Sequence, residues 1–419
     1  MKEELEDIKA DISPDISVFN SKDRCEDPAS MEPMTISEGS RFRRELTDAA
    51  LKLATLSAGF RSRLLPGIAI ALSDLVRSMN CYYSNLIEGH NTHPVDIEKA
   101  LKAEFSKEPE KRNLQLEAKA HIEVQRWIDA GGLRGRVVTR DGICEIHRRF
   151  CAELPPELLV VENPETHERL RVVPGELRNA DVKVGSLIPI SAGAVPRFLD
   201  RFEAAYADLG TTESILATAA EHHRLVWIHP FLDGNGRVAR LMSHAALLEL
   251  LDTGSLWSVS RGLARNVDEY KRHLVACDQT RRNDLDGRGN LSEKALAEFT
   301  RFFLNVCIDQ VNFMEGLIRP DLLRTRILLW AEEETKMGKL PSKATPVLEA
   351  LLYRGELPRG DVGKILGLTV RHSRRIVADL MRHNAVVSDS LDSPLRLNFP
   401  ASLASRWMPG LFPDKKEEK

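Results

Sequence analysis

The sequence has almost no excess of charge of either sign. Its 419 residues include 59 Lys and Arg against 62 Asp and Glu, which gives a formal net charge of -3. A chain with this balance has no overall electrostatic attraction to nucleic acid or to an anionic membrane. Any surface of the protein that binds a polyanion must therefore be a local one.

Long apolar runs and paired cysteines are also lacking. The most apolar stretch, residues 64–76, includes Pro66, Ser73 and Asp74 and is too short to span a bilayer. The chain opens on charged residues, not on a basic and then apolar signal segment. Its six cysteines form no Cys-x-x-Cys pair. We therefore expect a cytoplasmic protein that does not contact a membrane and whose thiols are small core residues.

The pattern of apolar residues changes along the chain, which is long enough for two or three domains. Residues 1–41 mix charges with Pro, Ser and Met without a sustained period, and we expect a weakly structured leader there. Across residues 42–320, apolar residues recur at intervals of three and four, which predicts a domain of at least eight helices. One exception is 167–190, whose alternation around Pro174-Gly175 predicts a short β-hairpin. The predicted fold class is therefore mainly α.

Residues 321–419 have a different pattern, which predicts a small α+β domain. Three short helices are followed by two strands around the turn SDSLDSP. This is the element order of a winged helix, with residues 369–384 in the place of the recognition helix. That segment carries four arginines against one aspartate: Arg371, Arg374, Arg375 and Arg382 against Asp379. Winged domains bind DNA but also dock proteins or form dimers, so DNA, another protein and a second copy of the chain all stay open as partners.

Residues 228–241 read IHPFLDGNGRVARL and join a tight turn to the start of a helix. Gly234 and Gly236, on either side of Asn235, permit the turn. The helix that follows has unpaired backbone N–H groups and the positive end of its dipole at this point, which suits a phosphate. The stretch therefore predicts an anion site at a helix N-terminus.

Four polar side chains surround this predicted anion site. Arg237 and Arg240 are three residues apart, project to the same side and are able to bind further phosphates. Asp233, just before the turn, is a hard oxygen ligand where a Mg²⁺ ion that bridges phosphates would lie. His229 is able to take a proton from an incoming hydroxyl group. Each residue has an ordinary alternative in a turn or in packing, and their combination is what indicates phosphate-transfer chemistry.

These residues resemble the signature of a known family. Residues 229–240 match His-x-Phe-x-(Asp/Glu)-Gly-Asn-Gly-Arg-x-x-Arg at all eight specified positions, and this is the motif of the Fic (filamentation induced by cAMP) family. The resemblance covers about residues 80–310 and includes the segments ICEIHRRF, PGELR and SRGLARNVDEYKRHL. Members are mostly helical, and most of those characterised transfer AMP from ATP to a hydroxyl side chain of a target protein. The resemblance thus implies a Fic-type helical domain that acts as a protein adenylyltransferase.

The resemblance also implies a role for each residue of the motif. His229 would be the general base that deprotonates a Ser, Thr or Tyr of the target protein, and Asp233 would hold Mg²⁺ on the α- and β-phosphates of ATP. The anion hole for the α-phosphate would be formed by Gly234, Asn235 and Gly236. The rest of ATP would be contacted by Arg237 and Arg240 at the outer phosphates and by Tyr270 at the adenine. An ordinary position on an amphipathic helix is the alternative for Tyr270.

The predicted hairpin resembles the flap of Fic proteins, which aligns an extended target segment beside the active site by strand addition. It would lie at about residues 176–189 and bind the target protein there. Leu177 stands where the family often has an aromatic residue in PGxxR, a difference that bears on target preference and not on the phosphate chemistry. A structural β-turn that covers the helical core is the alternative.

Residues 84–89, SNLIEG, match the (Ser/Thr)-x-x-x-Glu-(Gly/Asn) motif that inhibits many Fic domains. Ser84 and Glu88 would share one face of a helix, and Gly89 is a natural helix end. We expect Glu88 to pair with Arg240 and to occupy the place of the ATP γ-phosphate. The resemblance therefore implies a transferase inhibited by a segment that precedes its own catalytic motif.

Three functions stay open on the sequence. The first is AMP transfer, the second is removal of AMP or transfer of another phosphate-linked group by the same fold, and the third is a winged-helix regulator whose Fic domain senses nucleotide. The intact base and arginines favour the first two, since a sensor needs no base. A metal site formed by His222, His223 and His229 is disfavoured, because adjacent helical side chains diverge by about 100°.

Overall fold

The computed structural model describes residues 23–162, 167–185 and 187–412. Helices dominate these ranges, which confirms the predicted mainly α fold class. The helices that precede residue 318 are α1 (Arg43–Ser62), α2 (Pro66–Ile87), α3 (Pro94–Leu101), α4 (Pro109–Asp129), α5 (Arg140–Ala152), α6 (Val195–Tyr206), α7 (Thr211–Ile228), α8 (Asn235–Leu251), α9 (Val259–Arg265), α10 (Val267–Cys277) and α11 (Glu293–Leu317).

Helices α7 and α8 form the centre of this helical body. They pack against each other, while α7 also contacts α6 and α11 and α8 also contacts α4 and α5. Buried residues occur on every side of both helices, as expected of helices that other helices surround. The connection between them, residues 229–234, is therefore held at both ends by buried helices.

Residues 23–41 differ from the weakly structured leader that we expected. Three of their apolar side chains are buried in the core: Met31, Met34 and Ile36. Glu32 accepts a hydrogen bond from Arg201 Nε on α6 at 3.0 Å. The segment contains one short 3-10 helix, Pro28–Met31, and is otherwise irregular. Its buried residues therefore show no α-helical or strand period in the sequence. Residues 1–22 of the expected leader lie outside the described residues.

The regular hairpin lies earlier in the chain than predicted. Strands β1 (Val160–Glu162) and β2 (Arg169–Arg171) pair antiparallel. The expected flap, residues 176–189, has instead a single antiparallel bridge, between Val184 and Leu187, within its described part. The guanidinium of Arg178 bonds to carbonyl groups at both ends of this segment and so replaces part of a strand ladder. Ser186 lies outside the described residues.

The C-terminal region contains α12 (Pro320–Lys336), α13 (Ala344–Arg354), β3 (Glu356–Leu357), α14 (Arg359–Leu366), α15 (Val370–Arg382), β4 (Val386–Val387), β5 (Leu395–Leu397) and α16 (Ala404–Trp407). β5 lies between β3 and β4 and is antiparallel to both. The three helices and two strands expected here are present as α13, α14, α15, β4 and β5. β3 was not predicted, because a strand of two residues leaves no periodic signal. The domain boundary at residue 320 stays a prediction.

The C-terminal region packs directly on α2. The hydroxyl of Tyr83 donates to the carbonyl oxygen of Leu411 at 2.8 Å. Near the other end of α2, Gly67 lies so close to Gly355 that an added Cβ atom would be 2.3 Å from the Gly355 carbonyl oxygen. α2, which Glu88 follows directly, is thus enclosed between the helical body and the C-terminal region.

The sequence led us to expect no membrane-spanning helix and buried cysteines. None of the described helices has both the length and the apolar composition that crossing a bilayer requires. Cys25 is an exposed free thiol, whereas the other five cysteines are buried and free. The expectation that the thiols are core residues therefore holds except at Cys25.

Candidate active site

His229 follows the last turn of α7 in a left-handed backbone conformation, with φ 51° and ψ 62°. Its Nδ1 lies 3.3 Å from the carbonyl oxygen of Val226. Because a carbonyl oxygen only accepts, Nδ1 carries the ring proton and Nε2 keeps its lone pair. Burial, together with the positive charge of Arg178, lowers the pKa of His229 to about 4. The imidazole is therefore neutral at neutral pH and able to accept a proton at Nε2.

The loop after His229 is closed by the side chain of Asn235. Asn235 Oδ1 accepts from the N–H of Phe231 at 2.9 Å, and its Nδ2 donates to the Phe231 carbonyl oxygen at 2.8 Å. Gly234 then turns the chain into α8 at φ 80°, a conformation that strains other residues. The Asn235 side chain is thus used to shape the loop, which leaves the backbone to bind an anion.

The first turn of α8 presents backbone N–H groups that no side chain caps. The first N–H groups of a helix have no partner within the helix, and they carry the positive end of its dipole. Gly236 leaves space directly beside this turn, and a Cβ atom added there would lie 2.7 Å from Glu88 Oε1. A carboxylate oxygen of the chain itself therefore occupies the space beside Gly236.

That carboxylate belongs to the predicted inhibitory segment. Arg240 on α8 donates from Nε to the Ser84 hydroxyl at 2.8 Å and from Nη2 to Glu88 Oε1. Gly89 follows at φ 83°, and this left-handed residue ends α2. The expected contact between Glu88 and Arg240 is present, and Ser84 binds the same guanidinium from one turn earlier. Inhibition itself stays a prediction.

The charges at this contact favour an ionised Glu88. Burial opposes ionisation, but the positive charges of Arg240 and Arg237 outweigh it and lower the pKa of Glu88. The side chain of Arg240 is 2% exposed, whereas that of Glu88 is 27% exposed. The guanidinium of Arg240 is thus shielded from solvent, whereas the Glu88 carboxylate bound to it is still partly exposed.

Arg237 has a partner that the sequence analysis missed. Its Nη2 lies 2.9 Å from Oε2 of Glu117 on α4, and His90 Nδ1 lies 3.3 Å from the same oxygen. The nearby carboxylate of Glu117 raises the pKa of His90. Glu117 precedes Arg237 by 120 residues, so no local pattern could have paired them.

Asp233 lies at the exposed rim of the site. Its side chain is 51% exposed, and Oδ2 lies 3.8 Å from Arg237 Nη1. Magnesium in nucleotide sites commonly takes one or two carboxylates together with phosphate oxygens and water. One accessible carboxylate next to an anion site fits that set of ligands.

Tyr270 is 3% exposed, and its contacts are those of a core residue. Its hydroxyl lies 2.6 Å from His222 Nε2. His222 Nδ1 lies 2.9 Å from Ser243 Oγ, which itself donates to the carbonyl oxygen of Ala239. Nδ1 of His222 therefore carries the ring proton, and Nε2 accepts from the tyrosine. Contact of Tyr270 with adenine stays a prediction.

His223 points away from His222 and bonds to other residues. Its Nε2 lies 2.9 Å from Asp278 Oδ1 and 3.2 Å from the carbonyl oxygen of Leu274. The two adjacent histidines thus diverge as expected for a helix. Within the described ranges, no group of three or more His, Cys, Asp or Glu residues could hold a metal ion.

His147, in the ICEIHRRF segment of α5, joins the motif loop to the PGELR segment. Its ring stacks on Phe231 with centroids 3.9 Å apart, and Nδ1 accepts from the N–H of Gly175 at 2.9 Å. Burial lowers the pKa of His147 to about 4. The His147 ring is therefore neutral and connects the two segments by packing and a hydrogen bond. Its place in the segment ICEIHRRF was the only sign in the sequence that His147 lies near the site.

Arg178, the arginine of PGELR, holds this segment to the backbone of His229. Its Nε donates to the carbonyl oxygen of His229 at 2.8 Å, and its other nitrogens donate to the carbonyl oxygens of Ala180 and Ile190. The side chain is fully buried. Arg178 therefore positions His229 through the backbone and does not itself reach a substrate.

We expect Arg178→Met to lower the free energy of unfolding by about 2–4 kcal/mol, because it leaves three buried carbonyl groups without their charged donor. Urea titration followed by circular dichroism measures this change. Arg112→Met, at an exposed position of α4, serves as the control and should leave the unfolding midpoint in place. An unchanged midpoint for Arg178→Met would show that these bonds do not stabilise the loop.

An uncapped helix N-terminus, two buried arginines and a neutral histidine define a site of the class that binds phosphates beside a base. Residues 137–247 match the sequence profile of the Fic/DOC family. This matched range is about a quarter of the chain. Ser84 and Glu88 lie outside the matched range, and the C-terminal region does also.

Curated relatives are distant and are matched over a short stretch. The protein adenylyltransferase Fic of Drosophila erecta and that of Drosophila melanogaster are each 30% identical to this chain over 125 residues. The stretch amounts to 29% of this chain and 22% of either relative. The match thus spans less than a quarter of the length of these relatives.

Solved structures of Fic proteins resemble the chain over a longer range. A Fic family protein from Desulfovibrio desulfuricans G20 has a TM-score of 0.49 at 15% identity, over 87% of this chain and 98% of that chain. A fragment of Fic-1 from C. elegans has a TM-score of 0.47 at 19% identity, over 66% of this chain and 73% of that chain.

Proposed function

We propose that this protein transfers AMP from ATP to a hydroxyl side chain of a target protein, and that Glu88 inhibits the transfer. The observation that carries the proposal is the Glu88 carboxylate bound to Arg240 beside Gly236. An anion of the chain itself lies where the helix N-terminus and the arginine favour a phosphate. The distant relatives named protein adenylyltransferase support this choice of reaction.

The outer phosphates of ATP would compete with Glu88 for Arg240. Arg240 is almost fully buried and Arg237 is 8% exposed, so each arginine has few directions from which an anion approaches it. With Glu88 in place, the γ-phosphate would meet a second negative charge. ATP would then bind poorly or with its α-phosphate displaced from His229, and a small displacement is costly to a transfer reaction.

The transfer step needs a base and an anion hole. Nε2 of His229 would take the proton of the target hydroxyl as the hydroxyl oxygen attacks the α-phosphorus, and pyrophosphate would leave. The backbone N–H groups of Gly234, Asn235 and Gly236 would stabilise the charge that develops on the α-phosphate. A Mg²⁺ ion held by Asp233 would supply further neutralisation of phosphate charge.

The target segment would lie along residues 176–189. The bridge between Val184 and Leu187 presents extended backbone to which a peptide is able to add as a strand. Ile188 is 65% exposed and offers an apolar contact for a side chain of the target. Whether the acceptor is Ser, Thr or Tyr depends on that target.

The proposal predicts the position of the label that proteins acquire from ATP. The Glu88→Gly variant, added to a lysate of the source cell, should label proteins from α-³²P-ATP and not from γ-³²P-ATP, because the α-phosphate is transferred and pyrophosphate leaves. Gel autoradiography of the two reactions measures this difference. Label from the γ-phosphate alone would identify a phosphate transfer, and absence of α-label would contradict AMP transfer.

Asp233→Ala in the same background provides the test of the metal site. Loss of the carboxylate should lower labelling and raise the Mg²⁺ concentration required for it. Asp200→Ala, at an exposed carboxylate of α6, is the matched control and should keep both values. Equal magnesium dependence of the two variants would remove Asp233 from the site.

A further inference from the structure

Helices α14 and α15 form a helix-turn-helix in the C-terminal region. The turn between them consists of Gly367, at φ 62°, followed by Leu368 and Thr369, and short turns that contain glycine are typical of this motif. α15 packs against α14, α13 and β4. α15 is thus the second helix of the pair, the one that enters the major groove in helix-turn-helix proteins.

The two faces of α15 differ sharply in character. Its inner face is buried and consists of Ser373, Ile376, Val377 and Leu380. Its outer face carries three exposed arginines, Arg371, Arg374 and Arg375. At spacings of three and four residues these arginines lie side by side, about 5–6 Å apart at Cβ. α15 therefore presents a compact cationic surface.

The charge of this surface is not neutralised by neighbouring residues. Arg382 pairs with Asp379 at 2.8 Å, but within the described ranges Arg371, Arg374 and Arg375 take part in no hydrogen bond or ion pair. A chain with a net charge of -3 has thus gathered three unpaired positive charges at the start of one exposed helix.

We propose that the outer face of α15 binds double-stranded DNA. Arginines near the N-terminal end of the second helix are placed where such helices contact base edges and phosphates. An acidic protein would also be attracted to these arginines. The packing of the inner face, however, holds the arginines in one regular row, and such a row fits the regularly spaced phosphates of DNA better. The loop between β4 and β5 carries Asp389 and Asp392, which limits the contact to the helix.

The binding is tested with the full chain and a fluorescent random-sequence duplex of about 30 base pairs, three helical turns. Fluorescence anisotropy at increasing salt gives the affinity and its salt dependence. The double variant R374A/R375A should bind at least about tenfold more weakly, and its log–log salt slope should fall by about two, since two phosphate contacts are lost.

A matched control removes the same charge elsewhere. R112A/R134A changes two exposed arginines of the helical body and should bind DNA within about twofold of the unaltered chain, because net charge alone is a weak determinant. Thermal unfolding of both double variants checks that α15 stays folded. Equal loss of affinity in the two variants would overturn a specific role for α15.

Polyglutamate serves as the comparison ligand. If the unaltered chain binds polyglutamate as tightly as DNA at equal charge, or fails to bind DNA at low salt, the surface is suited to an acidic protein and the proposal is wrong. DNA binding that persists in R374A/R375A would also contradict it. None of these results depends on AMP transfer, since each of them is a binding measurement made without ATP.

Discussion

Glu88→Gly is expected to raise AMP transfer by about thirtyfold to several thousandfold. The carboxylate and the buried guanidinium of Arg240 form a charge pair, and breaking such a pair changes binding by about 2–5 kcal/mol. Removal of Glu88 also opens the space beside Gly236. ATP would then bind with its outer phosphates on Arg240, and the α-phosphate would reach the anion hole. Initial rates of α-³²P incorporation into a fixed target lysate measure the change.

Two further substitutions separate charge from space. Glu88→Gln keeps the size and a hydrogen-bonding oxygen but removes the negative charge, so we expect an intermediate rate. Glu104→Gly, at an exposed glutamate after α3, should keep the low rate of the unaltered chain. If Glu88→Gly and the unaltered chain label proteins equally, Glu88 is a structural partner of Arg240 and does not inhibit.

His229→Ala, made in the Glu88→Gly background, is expected to lower labelling by about a hundredfold to ten-thousandfold, the range that general base catalysis contributes. Asn235, Gly234 and Arg240 stay in place, so binding of ATP should change little. Equilibrium binding of a fluorescent ATP analogue and labelling rates together distinguish loss of chemistry from loss of binding. His167→Ala, at an exposed histidine, is the control.

The pH dependence of labelling offers a second test of the base. An ordinary histidine has a pKa of about 6.5 and would lose its function as the pH falls through that value. Burial holds the pKa of His229 at about 4, so the neutral base persists to lower pH. The Glu88→Gly substitution does not raise this pKa, because it removes an anion that favours the imidazolium form. We therefore expect rates to stay nearly constant between about pH 8 and pH 5 and to fall only toward about pH 4.

A loss of activity centred near the ordinary histidine pKa would contradict this environment for His229. A competing cause is unfolding at low pH, since buried histidines that charge on unfolding make the folded state less stable as the pH falls below about 6.5. Circular dichroism over the same pH range separates the two effects. Labelling that survives in His229→Ala would show that another group acts as the base.

The local part of the site could be predicted from the sequence alone. The spacing of Gly234, Gly236, Arg237 and Arg240 determines which groups face the helix N-terminus, because the geometry of one helical turn is nearly invariant. The same reasoning applies to Ser84 and Glu88, which are four residues apart on α2 and bind one guanidinium. In both cases the relevant distance lies within a single element.

The structure differs from the expectation in two segments, one without a sequence period and one with alternating apolar residues. Residues 23–41 pack on α6 through irregularly spaced contacts. The described part of residues 176–189 is held by the buried Arg178 and not by a ladder of strand bonds. Alternation of apolar residues predicted a hairpin, but alternation reports which faces are buried and not which backbone groups pair. Of the regular pair of strands, β2 lies within the predicted range 167–190 and β1 precedes it.

The sequence by itself determined the glycine turn before α8, the position of His229 beside that turn, the two arginines of α8 and the glycine that follows α2, because each depends on residues within a few positions of one another. Only the tertiary structure brought Glu88 onto Arg240 across 152 residues and joined Glu117 to Arg237. It also buried His229, and this burial lowers the pKa of the imidazole. These features arise from the packing of α2, α4 and α7 around α8. Packing between distant elements follows no spacing rule that a single sequence shows. The contact between Glu88 and Arg240 could therefore be expected from the resemblance, but only the tertiary structure shows it.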